Sequence, residues 1–481
     1  MIHNLNVKPL KALLVALQLP KVSDEELKGS LAELHRLVTT LGYEIIGQTS
    51  QRRSSDRSSN VVGEGKLLEL AKWTGGTGFI APMVVKKKHK AALKFNSETN
   101  DELSHDNDPT DDQSDSLITN EPDESIPEEH HGSAEILIFD CDLSPSQMRN
   151  LESATGVKVL DRTGVIIEIF SRHARTRAAK LQVEIARLTY VAPRLRETGG
   201  SEDQQGGGGK GSGETSLELD RRRIRDRIKE LKENLAAIAH EQDHRRAQRD
   251  QEITVALIGY TNAGKSSLMR ALTGSEVLIA DQLFATLDTT VRQLHPESRP
   301  KILISDTVGF IKKLPHDLVA SFKSTLDEAL NASLLLYVVD SSDPNFLSQL
   351  SLTKQVLSEV GAGETQSLLV LNKIDRLSPE EKLTLQNQYP EAFFLSTRNP
   401  QNVSELRLRL ISYFETDMID QDVLIPYTVQ GAVGEIRSTM RVLSESYNSE
   451  GVVFKVRAKP ELIQKIITKY SLDVTSKITT N

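Results

Sequence analysis

Gly259-Tyr260-Thr261-Asn262-Ala263-Gly264-Lys265-Ser266 matches the phosphate-cradling pattern G-x-x-x-x-G-K-[ST]. The apolar run Ile253-Thr254-Val255-Ala256-Leu257-Ile258 precedes it, and Ser267-Leu268-Met269-Arg270-Ala271-Leu272 follows with helical character. Strand, loop and helix in that order are the context the pattern needs to be real. The glycines let the backbone turn tightly and aim its N–H groups at phosphate oxygens. The helix N-terminus adds the positive end of its dipole. Lys265 is placed to reach the outer phosphates and Ser266 to hold Mg²⁺. The expected fold is α/β, a doubly wound sheet carrying a nucleotide at its strand ends.

Two further segments define the base and the metal. Asn372-Lys373-Ile374-Asp375 follows the apolar run Leu368-Leu369-Val370-Leu371 and looks like the N-K-x-D guanine motif of GTPases. A carboxylate at Asp375 accepts from the guanine N1–H and 2-amino group. Adenine offers no such donor pair and would leave the carboxylate unpaired. Asp306-Thr307-Val308-Gly309 follows Ile302-Leu303-Ile304. Asp306 sits where a carboxylate reaches Mg²⁺ through water, and the Gly309 N–H can meet a γ-phosphate. Any one of the three segments has a bland reading as a loop or surface turn. Three in order, each at a strand end, point to GTP.

The other contacts follow less directly. Phe284-Ala285-Thr286-Leu287-Asp288 resembles the first switch of Obg/HflX-like GTPases, which makes Thr286 the expected switch ligand of Mg²⁺, with Thr290 second. Ser396-Thr397-Arg398 stands where a family S-A-K loop touches guanine, with Thr397 in place of the alanine. Phe310 follows Gly309 where Ras-like enzymes place a water-orienting glutamine, and a phenyl ring cannot orient water. Slow intrinsic hydrolysis is expected unless another group or a partner supplies that orientation. Asn262 has two readings side by side. It resembles the asparagine of GTPases that bind K⁺ beside the phosphates, or it is a loop asparagine bonded to its own backbone.

The 481 residues suit about three domains. The net charge is −8, but residues 97–131 hold thirteen Asp/Glu and no Lys/Arg, so the rest is mildly basic. The single cysteine, Cys141, excludes an internal disulfide and fits a reducing compartment. No apolar run approaches the ~20 residues of a membrane span. The expectation is a monomeric cytoplasmic protein, with at most a contact to the membrane periphery.

Residues 1–165 read as an N-terminal α/β domain interrupted by an acidic insertion over 83–133. That insertion holds too few apolar residues to offset the entropy of ordering. Residues 166–250 read as an antiparallel helical hairpin. Its first helix covers roughly 166–197 and its second roughly 214–248, with Leu217, Ile224, Ile228, Leu231, Leu235 and Ile238 at heptad-like spacing. The joining loop, 199–213, is rich in glycine. The cluster Arg221, Arg222, Arg223, Arg225, Arg227 exceeds what i,i+4 pairing needs and suits phosphate contacts. Residues 251–415 form the nucleotide domain, and 416–481 a small α/β domain with a strand near Gly451–Val456.

The order of parts closely resembles the HflX family. The resemblance rests on Val61–Lys66, Leu143–Glu152, Val159–Gly164, Ala174–Glu184 and Gly213–Ile224, and runs from about residue 24 to 415 without the insertion. It implies a GTPase that binds the large (50S) ribosomal subunit and its rRNA, and that splits stalled or idle ribosomes in its GTP state. The chain reads Lys210-Gly211-Ser212-Gly213-Glu214 where the family has R-G-P-G-E, losing an arginine fork and a rigid proline. Two other classes compete. An RNA-binding, helicase-like module regulated by nucleotide would also take ATP, against Asp375. A signalling GTPase docking a protein on its hairpin would bind without the salt sensitivity of phosphate contacts.

Overall fold

The computed structural model describes residues 8–59, 61–80, 131–195, 216–247, 253–274, 283–284, 289–299, 301–313 and 329–472. The expected insertion up to residue 130, the glycine-rich loop 199–213 and the switch residues Ala285, Thr286, Leu287 and Asp288 lie outside the described residues. The chain divides into two compact units, Met1–Ile169 and Phe170–Asn481.

The first unit alternates strand and helix: β1 (Lys11–Gln18), α1 (Asp24–Thr40), β2 (Glu44–Arg52), α2 (Glu64–Thr74), β3 (Ile136–Phe139), α3 (Pro145–Thr155), β4 (Lys158–Asp161) and the start of α4 (Arg162–His173). Such alternation feeds a parallel sheet, here in the order β2-β1-β3-β4. Ala12 to Ala16 are all fully buried, the unbroken apolar run of a strand covered on both faces. Ser23 and Glu26 close a reciprocal capping box at the head of α1, and Ser144 with Gln147 does the same for α3. Gly132 N–H donates to Lys72 O (2.9 Å) and Ala134 N–H to Trp73 O (2.9 Å), so the chain returning into β3 is tied to the end of α2. Arg162 is 1% exposed and donates to Asp140 (2.7 Å) and to Glu33; Ser30 Oγ donates to the other oxygen of Asp140.

In the second unit the first hairpin helix differs from the expected 166–197. It is two helices, α4 and α5 (Arg177–Val191), parted at Ala174–Thr176. Thr176 has extended backbone and its hydroxyl accepts from the Ala179 N–H (3.1 Å), an N-cap that restarts the helix. The partner helix α6 (Ser216–Ala247) lies along α5. On α6, Leu231 is buried and Ile224, Ile228, Leu235 and Ile238 are half-buried, while Arg221, Arg222, Arg223 and Arg225 are exposed. The seven-residue pattern therefore marks the packed face.

Next comes a six-stranded sheet: β5 (Ile253–Ile258), β6 (Thr290–Gln293), β7 (Ile302–Asp306), β8 (Leu334–Asp340), β9 (Ser367–Asn372) and β10 (Phe393–Phe394), in the order β10-β9-β8-β5-β7-β6. All pairs are parallel except β6 with β7. Helices α7 (Lys265–Thr273), α8 (Phe346–Val360), α9 (Pro379–Gln388) and α10 (Pro400–Glu415) accompany it. Val255, Leu257, Leu268, Leu272, Leu336 and Leu406 share its core. Strand succession reverses between β5 and β8, and ligands of doubly wound sheets bind outside the strand ends at such a point. The tail is β11 (Ile419–Pro426), α11 (Gln430–Thr439), β12 (Arg441–Tyr447), β13 (Gly451–Ala458) and α12 (Pro460–Tyr470), an antiparallel sheet β11-β13-β12 around Phe454.

Candidate nucleotide site

The strand ends of β5, β7, β8 and β9 converge on one place. The loop 259–264 leaves β5 and enters α7 through Gly264, whose φ is +96°. A Cβ there would stand 2.2 Å from Asn372 Nδ2, so only glycine lets the guanine-motif asparagine approach. Asn372 uses that approach to donate to Ala263 O (2.9 Å). Lys373 Nζ donates to Asn262 O (2.7 Å) and pairs with Asp340 Oδ2 (2.7 Å). The two sequence motifs are thus locked together by two direct hydrogen bonds between residues 109 and 111 positions apart.

Lys265 is buried and its ammonium donates to Gly259 O (3.0 Å) and Tyr260 O (2.8 Å). Burial pushes its pKa down to about 8, while the Asp306 carboxylate opposes that. Ser266 Oγ donates to Asp306 Oδ2 at 2.7 Å, and Asp306 is fully buried at the end of β7. A hydroxyl and a carboxylate held together beside a phosphate loop are hard oxygen donors of the kind Mg²⁺ takes. Thr307 turns its hydroxyl to Leu257 O (2.8 Å), fixing β7 against β5, and Val308 is buried. Gly309 lies against the loop, where a Cβ would be 2.9 Å from Thr261 Cα and 3.0 Å from Lys265 Nζ. Thr261 Oγ1 and Asn372 Oδ1 are buried without a hydrogen-bond partner among the described residues, and such groups call for a ligand or ordered water.

At the base end, Ser396 Oγ donates to Asp375 Oδ1 (2.7 Å), and Arg398 Nη1 stands 3.7 Å from Oδ2. The Ser396 hydrogen bond first, then the nearby guanidinium groups, hold the Asp375 carboxyl below its usual range despite some burial. Thr397 is half-buried between Ser396 and Arg398, and Ile374 opens the short 3₁₀ turn that carries Asp375. Asn262 has a left-handed backbone (φ 61°), which asparagine tolerates better than most residues. Phe284 is buried and left-handed (φ 59°), its ring edge-on to Phe170 at 4.5 Å. Ser267 sits in the first turn of α7, and Thr290 opens β6. Phe310 does more than lack an amide. Its N–H donates to Gly259 O (3.2 Å) and its C=O accepts from Thr261 N–H (2.8 Å), pairing the segment after Gly309 with the phosphate loop.

Sequence reading missed Asp340, Ser341 and Ser342. Ser341 donates from N–H and Oγ to Asn372 O (3.0 and 2.6 Å), and Ser342 from N–H and Oγ to Asp340 Oδ1 (3.1 and 2.6 Å). Their only signal was a polar Asp-Ser-Ser closing the apolar run of β8.

Comparison with known proteins gives the family. The family described as GTP-binding GTPase N-terminal matches residues 28–89 and 117–171, its middle region matches 173–249, and the 50S ribosome-binding GTPase family matches 254–373. GTPase HflX of Gluconacetobacter diazotrophicus is 53% identical over 455 residues, 95% of this chain and 96% of that one. The chain belongs to the HflX family of GTPases. GTPase HflX of Caldanaerobacter subterraneus is 34% identical over 95% of this chain and 92% of its own. A GTP-binding protein of Sulfolobus solfataricus, crystallised with GDP, aligns at 22% identity and a TM-score of 0.41 over 83% of this chain and 99% of that one. As an HflX GTPase, the chain binds and hydrolyses GTP.

Proposed function

We propose that this GTPase is a switch on the large ribosomal subunit, separating or recycling ribosomes in its GTP state. The observation that carries the site assignment is the double hydrogen bond from Asn372 and Lys373 to the phosphate loop, to which Ser266 also ties Asp306. In this reading residues 259–267 cradle the phosphates, Asp375 and Ser396 recognise guanine, and Thr397 and Arg398 border the base. Ser266 and Asp306 would hold Mg²⁺, with Thr286 as the expected further ligand. The metal would supply charge neutralisation at the phosphates. Gly309 offers its N–H to the γ-phosphate.

No side chain here is an evident general base, so hydrolysis rests on positioning and charge stabilisation, completed by the ribosome. A K⁺ ion beside Asn262 is the candidate for the missing cationic charge. The exposed Arg221–Arg225 face of α6 faces ribosomal RNA.

The test is GTP turnover with and without purified 50S subunits, in KCl and in NaCl. Stimulation by 50S is expected, with basal activity lost in NaCl. A rate indifferent to 50S in protein that binds GTP would overturn the ribosomal reading. A rate indifferent to K⁺ would return Asn262 to its backbone role.

A further inference from the structure

We propose that Asp340 is a positioning residue for nucleotide binding, acting through Lys373 on the phosphate loop; this rests on the site assignment above. Asp340 ends β8, beside β5 at the reversal of strand order. Its Oδ1 is held by the N–H and Oγ of Ser342, so the carboxylate is oriented from within its own turn. Its Oδ2 then meets Lys373 Nζ at 2.7 Å, with both side chains 15% exposed. The same ammonium reaches Asn262 O at 2.7 Å.

Both ends of that link have unusual backbones. Lys373 (φ 62°) and Asn262 (φ 61°) are left-handed non-glycine residues. Such conformations persist only where the surroundings over-determine them. Ser341 adds a second tie, from the same turn to Asn372 O. The turn 340–342 therefore sets the spacing between guanine loop and phosphate loop. A carboxylate near a polyanionic ligand is unfavourable unless paired, and here its partner is the lysine of the guanine motif. Since the link touches the loop that holds the phosphates common to GDP and GTP, its loss weakens both nucleotides alike and leaves base choice to Asp375.

The experiment measures GDP and GTP affinity, dissociation rates and turnover for the full chain and for Asp340→Asn, Lys373→Ala and the double variant. Thermal unfolding checks that each folds. Asp340→Asn is expected to weaken GDP and GTP by the same factor, about tenfold for one charge-assisted contact. Dissociation speeds up, KM rises far more than kcat falls, and the ratio of GTP to ITP affinity stays as in the parent.

Because Asp340 acts through Lys373, the double variant is expected to bind no worse than Lys373→Ala alone. If Asp340→Asn unfolds, Ser342→Ala, which removes the Oγ hydrogen bond to Oδ1 and keeps the one from the N–H, moves the same parameters in the same direction by about two- to threefold. Parent-like affinity in a folded Asp340→Asn protein, or effects of the two single variants that multiply, would overturn the proposal. Failure of the parent itself to bind guanine nucleotide would instead sink the site assignment beneath it.

Discussion

Asp375→Asn should exchange guanine for xanthine. The Asp375 side chain is one-third exposed, accepts one hydrogen bond from Ser396 and keeps lone pairs for two donors on a base edge. Each hydrogen bond to a charged group is worth about 1.5–3 kcal/mol, and partial solvation argues for the lower end. Losing two therefore removes about 3 kcal/mol, or roughly 150-fold in affinity. An amide makes matters worse by pointing an N–H at the guanine 2-amino group. Xanthine carries a carbonyl there, so the same N–H becomes a partner and the affinity returns. The assay is competitive titration of a fluorescent nucleotide with GDP and XDP, parent against variant, at one Mg²⁺ concentration. The parent should prefer GDP by about two orders of magnitude and the variant should reverse that order. An Asp375→Asn protein that still prefers GDP would show that the base is read elsewhere.

Three further outcomes are expected. Arg162→Met leaves Asp140 and Glu33 without their guanidinium in a buried place and should destabilise the first unit by about 3–5 kcal/mol; urea unfolding read by Trp73, the single tryptophan, measures it, and an unshifted midpoint would deny the cluster that weight. Phosphate binding favours the charged form of Lys265, whose pKa burial lowers to about 8, so GDP binding takes up a proton above that value. GDP affinity should fall as pH rises through about 8, by up to tenfold per unit, and calorimetry in buffers of different ionisation heat should show the uptake. Replacing residues 81–130 by a six-residue Gly-Ser linker shortens that connection about eightfold, three doublings, and should raise stability by no more than about 2 kcal/mol; a collapse of Trp73-monitored stability would mean that the segment packs on the fold.

The nucleotide end of the fold was legible because its chemistry needs particular residues at particular strand ends. Lys265, Ser266, Asp306, Asn372 and Asp375 announce themselves by type and spacing, and the apolar runs of β5, β7 and β9 frame them. The turn 340–342 stayed hidden because its work is to hold Lys373 and Asn372 rather than a ligand, and Asp-Ser-Ser after a strand reads as any polar turn. The break between α4 and α5 was missed for a local reason. Helical spacing of apolar residues continues across Ala174–Thr176, so periodicity alone joins two helices that a threonine cap separates. The pairing of Phe310 with Gly259 and Thr261 is made by backbone, and side-chain identity carries no record of it.

The stem formed by Lys72, Trp73, Gly132 and Ala134 has a consequence for how this chain can change. Two backbone hydrogen bonds clasp the end of α2 to the residues that enter β3, and Gly132 lies against Gly75. Closure entropy grows only with the logarithm of loop length. With the entry to β3 fixed from α2, a change in the length of chain between them can leave β3 beside β1 in unchanged register. The same clasp is a natural port for engineering, where a fluorescent domain or affinity tag can be spliced into the middle of the chain.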